Sequence, residues 1–256
     1  MQIGKAGAAA TSISSAAADR IEVRGRDLTA DLMGRIGFTD YFYLLVTGRE
    51  PTEQQRFFLD LLLVSIAEHG LVPSVQAARM TLAADPAALQ GAVAAGILGA
   101  GSVVLGASES CGFLLQAVRD RGDARVVLSE LKARGERAPG FGHPLHKPVD
   151  PRAERILALA AERGLDGPNL RTARALPPVV AKVWGKPLPM NVSMAIAAVL
   201  LDLDFPPAML KAIPILARTA SLLAHLAEEQ QNPIGFLMAS KGEDAIAYVP
   251  QGGKDE

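Results

Sequence analysis

A single cysteine, Cys111, stands among 256 residues, so no disulfide can form within the chain, and the composition fits a reducing compartment. Its flanks, Ser-Glu-Ser before and Gly-Phe-Leu-Leu after, lack the cations that activate a thiolate, so it reads as a packing residue. Histidines are few, four in all and dispersed along the sequence; with no second cysteine there is no visible metal-ligand cluster, and no metal is expected. Acidic and basic residues nearly cancel to a net charge of −1, and no basic stripe runs through the chain, which argues against a nucleic-acid binder. The scattered basic residues leave room for one local anion site. The opening Met-Gln-Ile-Gly-Lys lacks the charged and apolar regions of a signal peptide. One uncharged stretch, 87–108, is long enough to span a bilayer. It is mostly alanine and glycine, contains Gln90 and Ser102, and has no aromatic anchors, so it reads instead as a buried helix whose small residues allow close helix–helix approach. The expectation is a soluble, cytoplasmic chain without membrane or nucleic-acid partners.

Strand signals are also scarce. Arg20-Ile-Glu-Val-Arg alternates for one short strand, and Thr11-Ser-Ile-Ser-Ser is merely polar. Nearly every apolar run has helical spacing, with proline or glycine at the breaks. The pattern predicts helices over 38–47, 52–69, 73–84, 86 to about 99, 112–121, 124–134, 152–163, 169–183, 192–203, 206–213 and 216–231. The polar tail after Gly252 is expected to fray. The fold class is all-α.

The richest chemistry lies in one stretch: Pro139-Gly-Phe-Gly-His143-Pro-Leu-His146-Lys147-Pro-Val-Asp150-Pro151-Arg152. Two glycines let the backbone approach a ligand closely. Asp150 suits the N-cap of the following helix and Pro151 its first position, which puts Arg152 on the first turn, where anions are favoured. A basic surface loop between helices would look the same on pattern alone. Two further points stand out. His69, in Glu68-His69-Gly70-Leu71, ends a long apolar helix, where a histidine serves as a dipole-compatible cap or as a ligand contact. Arg218 sits among Ile215, Leu216, Ala217, Ala220 and Leu222, where an unpaired charge is costly to bury. Either its stem carries it to solvent or it meets an anion.

The 139–152 stretch resembles the citrate synthases, which carry Pro-Gly-x-Gly-His, five or six residues, then Asp-Pro-Arg. The opening residues Val23-Arg24-Gly25-Arg26-Asp27-Leu28, Phe42-Tyr43-Leu44-Leu45 and Thr47-Gly48-Arg49-Glu50-Pro51-Thr52 resemble the same family, as do the His69-Gly70 turn and Arg218 with the His225 and Glu229-Gln230 that follow it. The resemblance implies that His143 contacts a carbonyl or hydroxyl oxygen of the substrate, and that His69, Arg152 and Arg218 hold its carboxylates. It also implies that Gly140, Phe141 and Gly142, with Lys147, hold coenzyme A, which arrives as the thioester substrate rather than as a tightly bound cofactor. His225 reads as structural. The implied architecture is a large helical domain (1–107 and 206–256) and a small one (108–205), with the site in the cleft between them, closed by domain movement. Helix 87–107 would make the core of a two-fold homodimer.

Three departures qualify that reading. Where the family has the histidine that polarises the acetyl-CoA carbonyl, this chain has Val104. Where it has the aspartate that moves the methyl proton, this chain has Ser193, whose unactivated hydroxyl is no general base. The arginine expected from a partner subunit after Glu-Gln is absent, with Asn232-Pro233-Ile234 nearby. The chain therefore looks like a citryl-CoA lyase, a relative of the C-terminal module of ATP-citrate lyase. The implied chemistry is retro-aldol cleavage, with His143 as the catalytic residue and Glu109 or a water held by Ser193 as candidates to protonate the enolate. The alternatives are a citrate synthase-like acyltransferase with another acyl-CoA and keto acid, and a non-catalytic acyl-CoA binding protein.

Overall fold

The computed structural model describes residues 9–249, so both the opening Met-Gln-Ile-Gly-Lys and the tail after Gly252 lie outside the described residues. The chain forms two compact units, one reaching Leu61 and one starting at Leu62.

In the first unit, β1 (Ser14–Ala16), β2 (Ile21–Val23) and β3 (Arg26–Asp27) form an antiparallel sheet in sequence order. Arg24 and Gly25 turn β2 into β3 with φ of 50° and 77°, the left-handed pair that a two-residue hairpin requires. The Arg24 guanidinium then donates to the Leu45 carbonyl at 2.6 and 3.2 Å, which ties the hairpin to α1 (Phe38–Thr47). Val23, Leu32 and Leu44 make the core of this unit. The Arg24-Gly25 motif is thus architectural here.

α2 (Glu53–Ala67) leads into the second unit, which contains α3 (Pro73–Ala84), α4 (Leu89–Leu105), α5 (Ala107–Arg121), α6 (Ala124–Ala133), α7 (Pro151–Glu162), α8 (Pro168–Trp184), α9 (Val192–Asp202), α10 (Ala212–Gln231) and α11 (Gly235–Asp244). α9 is hydrophobic all round and is buried accordingly, with Met194 through Val199 fully enclosed by α5, α7 and α8. α3, α4 and α10 close a second cluster around Val75, Ala78, Leu82, Ala92, Leu222 and Leu226.

Helix positions follow the sequence pattern with several corrections, among them α4, which runs on to Leu105 rather than ending near 99. The helix expected over 206–213 is only a 3-10 turn, Pro207–Met209, and α10 begins at Ala212. Pro214 does not break α10, because it lies in the first turn, where the missing N–H has no intrahelical acceptor. α11 is absent from the helices read from the sequence pattern. It is nucleated by a tertiary cap: the Glu229 carboxylate accepts from the N–H groups of Ile234 (2.9 Å) and Gly235 (2.7 Å). α5 starts earlier than expected, at Ala107. Finally, the 87–108 stretch is not buried all round. Gly96 and Gly99 do permit close approach, to Leu222 and Ala77, but Leu98 and Val103 on other faces are 80% and 91% exposed. Two runs, Leu89–Arg121 and Pro207–Gln231, are long and apolar enough to cross a membrane by composition. Both pack against other helices of this unit, and α4 is interrupted at Gly101 (φ 54°, ψ −171°).

Arg79 on α3 holds the second cluster together. Its side chain is 2% exposed, with Nε 2.6 Å from Glu229, Nη1 2.6 Å from Glu228, and Nη2 donating to the Asn232 carbonyl at 3.1 Å. Burial alone would lower its pKa, but the two carboxylates outweigh that and raise it. Arg79→Leu would strand the buried Glu229 and is expected to cost about 3–5 kcal/mol, the range for removing one partner of a buried ion pair. Urea denaturation of both proteins checks this, and a loss under about 1 kcal/mol would contradict the assignment.

Candidate active site

The loop before α7 is fixed at both ends and free between them. Gly140 and Gly142 take φ of 79° and 88°. A Cβ on Gly140 would come within 2.7 Å of Met194 and 2.9 Å of the Cys111 sulfur, so only glycine fits over α9 and α5. Gly142 donates to the Pro189 carbonyl (2.7 Å), and Asn191 donates to the carbonyls of Gly140 (2.9 Å) and Gly142 (3.1 Å). Phe141 pairs with Met190. These contacts commit the Gly142 N–H and the Gly140 carbonyl to holding the loop. Cys111 is fully buried beneath it, and burial pushes its thiol pKa up, consistent with a packing role.

At the other end Asp150 caps α7, as the sequence predicts. Its carboxylate is fully buried, accepts from the Arg152 N–H (3.0 Å) and from Arg152 Nε and Nη2 (3.0 and 2.9 Å), and reaches the Val192 N–H at the start of α9 (3.0 Å). Burial would raise this carboxyl, but those donors outweigh it and hold the pKa below the usual range. Arg152 is therefore anchored before any ligand arrives. Ser193 lies one residue beyond Val192, half-buried, its N–H donating to the Asn191 side chain (3.1 Å).

A second anchor positions His69. Glu68 accepts from the Gly70 N–H (2.5 Å) and the Ser221 hydroxyl, and pairs with His225 Nε2 (3.0 Å), pinning the end of α2 to α10. This gives His225 its structural partner. Burial would raise the Glu68 carboxyl, but Ser221, Gly70 and His225 bring it below its ordinary value.

Three of the four histidines, dispersed in sequence, converge. The His69 ring lies 5.7 Å from His143 and 5.9 Å from His146, and His146 stacks on His143 at 4.3 Å with 25° between the planes. Each offers a ring nitrogen within 4.8 Å of the others, so the view that no histidine cluster exists is corrected. The spacing would suit a metal ion, but the tautomer of His143 points elsewhere. Its Nδ1 accepts from the N–H groups of Leu145 (3.1 Å) and His146 (3.0 Å), which leaves the neutral ring's proton on Nε2 as a hydrogen-bond donor. Burial first, then the charges of His146 and Arg152, lowers its pKa and favours that neutral form. His69 is lowered likewise, by burial and then by Arg152 and Arg218.

Arg218 on α10 completes the group. It is 7% exposed, so its stem does not carry it to solvent, and its Nη1 has no hydrogen-bond partner among the described residues. Burial lowers its pKa, Arg152 adds to that, and Glu68 opposes it. A buried guanidinium with an unmet donor is set up for an anion. Val104 is 46% exposed beyond the break in α4, and Lys147 is exposed on the loop. A cavity of about 400 Å³ between α5 and α6 reaches Pro139 but none of the histidines. Sequence reasoning left His146 without a role and missed the anchors Glu68 and Asn191; only the His-x-x-His spacing hinted at the stacked pair.

The C-terminal domain of citrate synthase matches residues 9–235. The chain belongs to the citrate synthase family. A Mycobacterium tuberculosis protein provisionally named citrate synthase 2 is 36% identical over 191 residues, 71% of this chain and 50% of that protein. A Shewanella oneidensis 2-methylcitrate synthase is 29% identical over 75% of this chain and 52% of its own length. The chain thus spans about half the length of these curated relatives. Citryl-CoA lyase from Hydrogenobacter thermophilus superposes with a TM-score of 0.85 at 29% identity, covering 96% of both chains. The fold is also that of an ATP citrate lyase from Methanothrix soehngenii solved with citrate and coenzyme A, at a TM-score of 0.77 and 21% identity, covering 97% of this chain and 42% of that one.

The depressed histidines predict how stability varies with pH. The folded site refuses protons that the unfolded chain accepts below the ordinary histidine value of about 6.5, so stability is full above that pH and falls as pH drops through the histidine range. Replacing both His69 and His143 with glutamine should flatten the fall in thermal midpoint between about pH 7.5 and pH 5.5. An unchanged slope would contradict the assignment. The lowered carboxyls of Asp150, Glu68 and Glu229 act only further into acid, below their ordinary range.

Proposed function

We propose that the protein is a citryl-CoA lyase-like enzyme that cleaves citryl-CoA, or a related hydroxy-polycarboxyl-CoA, to acetyl-CoA and oxaloacetate. One observation carries the reading: the unpaired, buried Arg218 faces the same ground as Arg152 and His69, while His143 holds an Nε2–H donor beside them. A polycarboxylate with an adjacent hydroxyl matches that set. The extent of the likeness to a citryl-CoA lyase, over almost all of both chains, supports it.

In this reading Arg218, Arg152 and His69 take the carboxylates, and Arg152 keeps Nη1 for that purpose while Asp150 occupies its other face. His143 Nε2–H donates to the tertiary oxygen as it passes from hydroxyl to ketone. Donation strengthens as charge develops on that oxygen, the condition for lowering a barrier rather than merely binding. Gly140, Phe141 and Gly142 line the approach for the thioester, and the Lys147 amine is free to meet a coenzyme A phosphate. The segment 108–205 closes over the bound ligand as the smaller domain. A second copy covers Leu98, Val103 and Phe113 on α4 and α5, making a homodimer. Sedimentation at micromolar concentration should give the mass of two chains; a monomer there removes the dimer.

The alternative is an acyltransferase with another acyl-CoA and keto acid, favoured by relatives named citrate and 2-methylcitrate synthase. The direct test mixes the protein with citryl-CoA, malate dehydrogenase and NADH. NADH should be consumed, with His143→Ala slower by about 100-fold or more. A flat trace from the wild type would redirect the search to other acyl-CoA pairs or to binding without turnover.

A further inference from the structure

Cleavage poses a proton problem that the residues at the family's usual positions cannot solve here. Val104 carries no proton, and the Ser193 hydroxyl is neither acid nor base near neutrality. Asp150 is enclosed and saturated by Arg152 and Val192. Glu68 is committed to Ser221, His225 and Gly70. The Cys111 thiol is buried under the loop with its pKa pushed up. The arginines do not give up protons. Among the imidazoles, His143 has its Nδ1 occupied by two N–H groups, and His69 lies between the charges of Arg152 and Arg218, on the carboxylate side.

Within the histidine cluster, one group is left over. The His146 ring is half-buried, lies against His143 at 4.3 Å and near His69 at 5.9 Å, and has no hydrogen bond to its ring nitrogens among the described residues. The turn that locks the His143 tautomer is closed by the His146 N–H itself, so one local structure sets both rings side by side. Charged and titratable groups around it are His143 and His69 at its ring, Arg152, Asp150 and Arg218 behind them, and Lys147 next in the chain.

We propose that His146 is the catalytic acid–base of the cleavage. This rests on the lyase reading. Neutral His146 takes the proton of the tertiary hydroxyl. The oxygen's electrons form the ketone of oxaloacetate, and the pair of the breaking carbon–carbon bond moves onto the CH2 carbon as the acetyl-CoA enolate. His146, now imidazolium, returns its proton to that carbon, which becomes the methyl of acetyl-CoA. One proton is taken and one is delivered, so nothing else is consumed. A single ring can serve both atoms because the hydroxyl oxygen and the CH2 are bonded to the same carbon. His143 remains the donor that steadies the oxygen throughout.

The test compares wild type, His146→Asn and His146→Ala in the coupled citryl-CoA assay, with and without added imidazole, alongside calorimetric binding of citrate. The expected result is a kcat lower by about 100-fold or more in both variants, little change in KM or in citrate affinity, and dose-dependent recovery of His146→Ala by imidazole. Either variant retaining kcat within about threefold of wild type overturns the role of His146 while leaving the lyase reading intact. A loss of kcat that comes with weakened citrate binding and no imidazole recovery also overturns it, and makes His146 a binding or structural residue. A wild type that leaves citryl-CoA untouched overturns the lyase reading, and the His146 role with it.

Discussion

The carboxylate of Asp150 is the point on which the site depends. It caps α7, holds the Arg152 guanidinium on two nitrogens, and reaches the first N–H of α9, the most deeply buried helix of the second unit. Each of these is a charge-assisted hydrogen bond to a fully buried carboxylate, where such bonds are strong and an unmet partner is costly. The arginine's charge compensates the buried aspartate, and the aspartate fixes the arginine's direction. The glycine end of the loop is secured independently by Asn191 on the same approach to α9, so two adjacent residues, Asn191 and Val192, hold both ends of the loop.

Between those fixed ends the charges are not balanced. Arg152 has its counter-ion, but Arg218 has none in contact among the described residues, and burial together with the neighbouring charges lowers the pKa of His69 and His143. A desolvated cation beside neutral donors is an incomplete arrangement that a polyanion completes. Burying Arg218 without a partner costs the fold free energy that an anion in contact with it would return.

Much of this could be read from the sequence, and the parts that could not share a cause. Asp150, Pro151 and Arg152 are local: cap, first position and first turn follow from the order of residues alone, and the structure has them as expected. Helix α3 and helix α1 also match their patterns to the residue, because proline and glycine mark their ends. The failures are long-range. α11 depends on a carboxylate from the preceding helix rather than on its own composition. The exposed side of α4 depends on which neighbours exist, which periodicity does not report. The histidine cluster joins residues 69, 143 and 146, and Glu68, held by Ser221 and His225 of α10, fixes His69 beside the loop. His69, His143, Arg152 and Arg218, inferred from the family, lie within electrostatic reach of one another, whereas His146, for which the family offered no role, is placed only by the fold.

Arg79 carries a consequence for the order in which the chain can mature. Its partners, Glu228, Glu229 and Asn232, lie about 150 residues later in the sequence. As the protein is synthesised from its N-terminus, α3 and α4 emerge with a buried-to-be arginine and no counter-charge, and the cluster around Val75, Leu82 and Ala92 still lacks Leu222 and Leu226. Closing that core early would strand a guanidinium away from water, which is unfavourable by several kcal/mol. Closing the α3–α4 pair before Glu228, Glu229 and Asn232 are available is therefore disfavoured. The same helix carries Arg218 and the Glu68 partners Ser221 and His225, so this core and the candidate site both depend on α10.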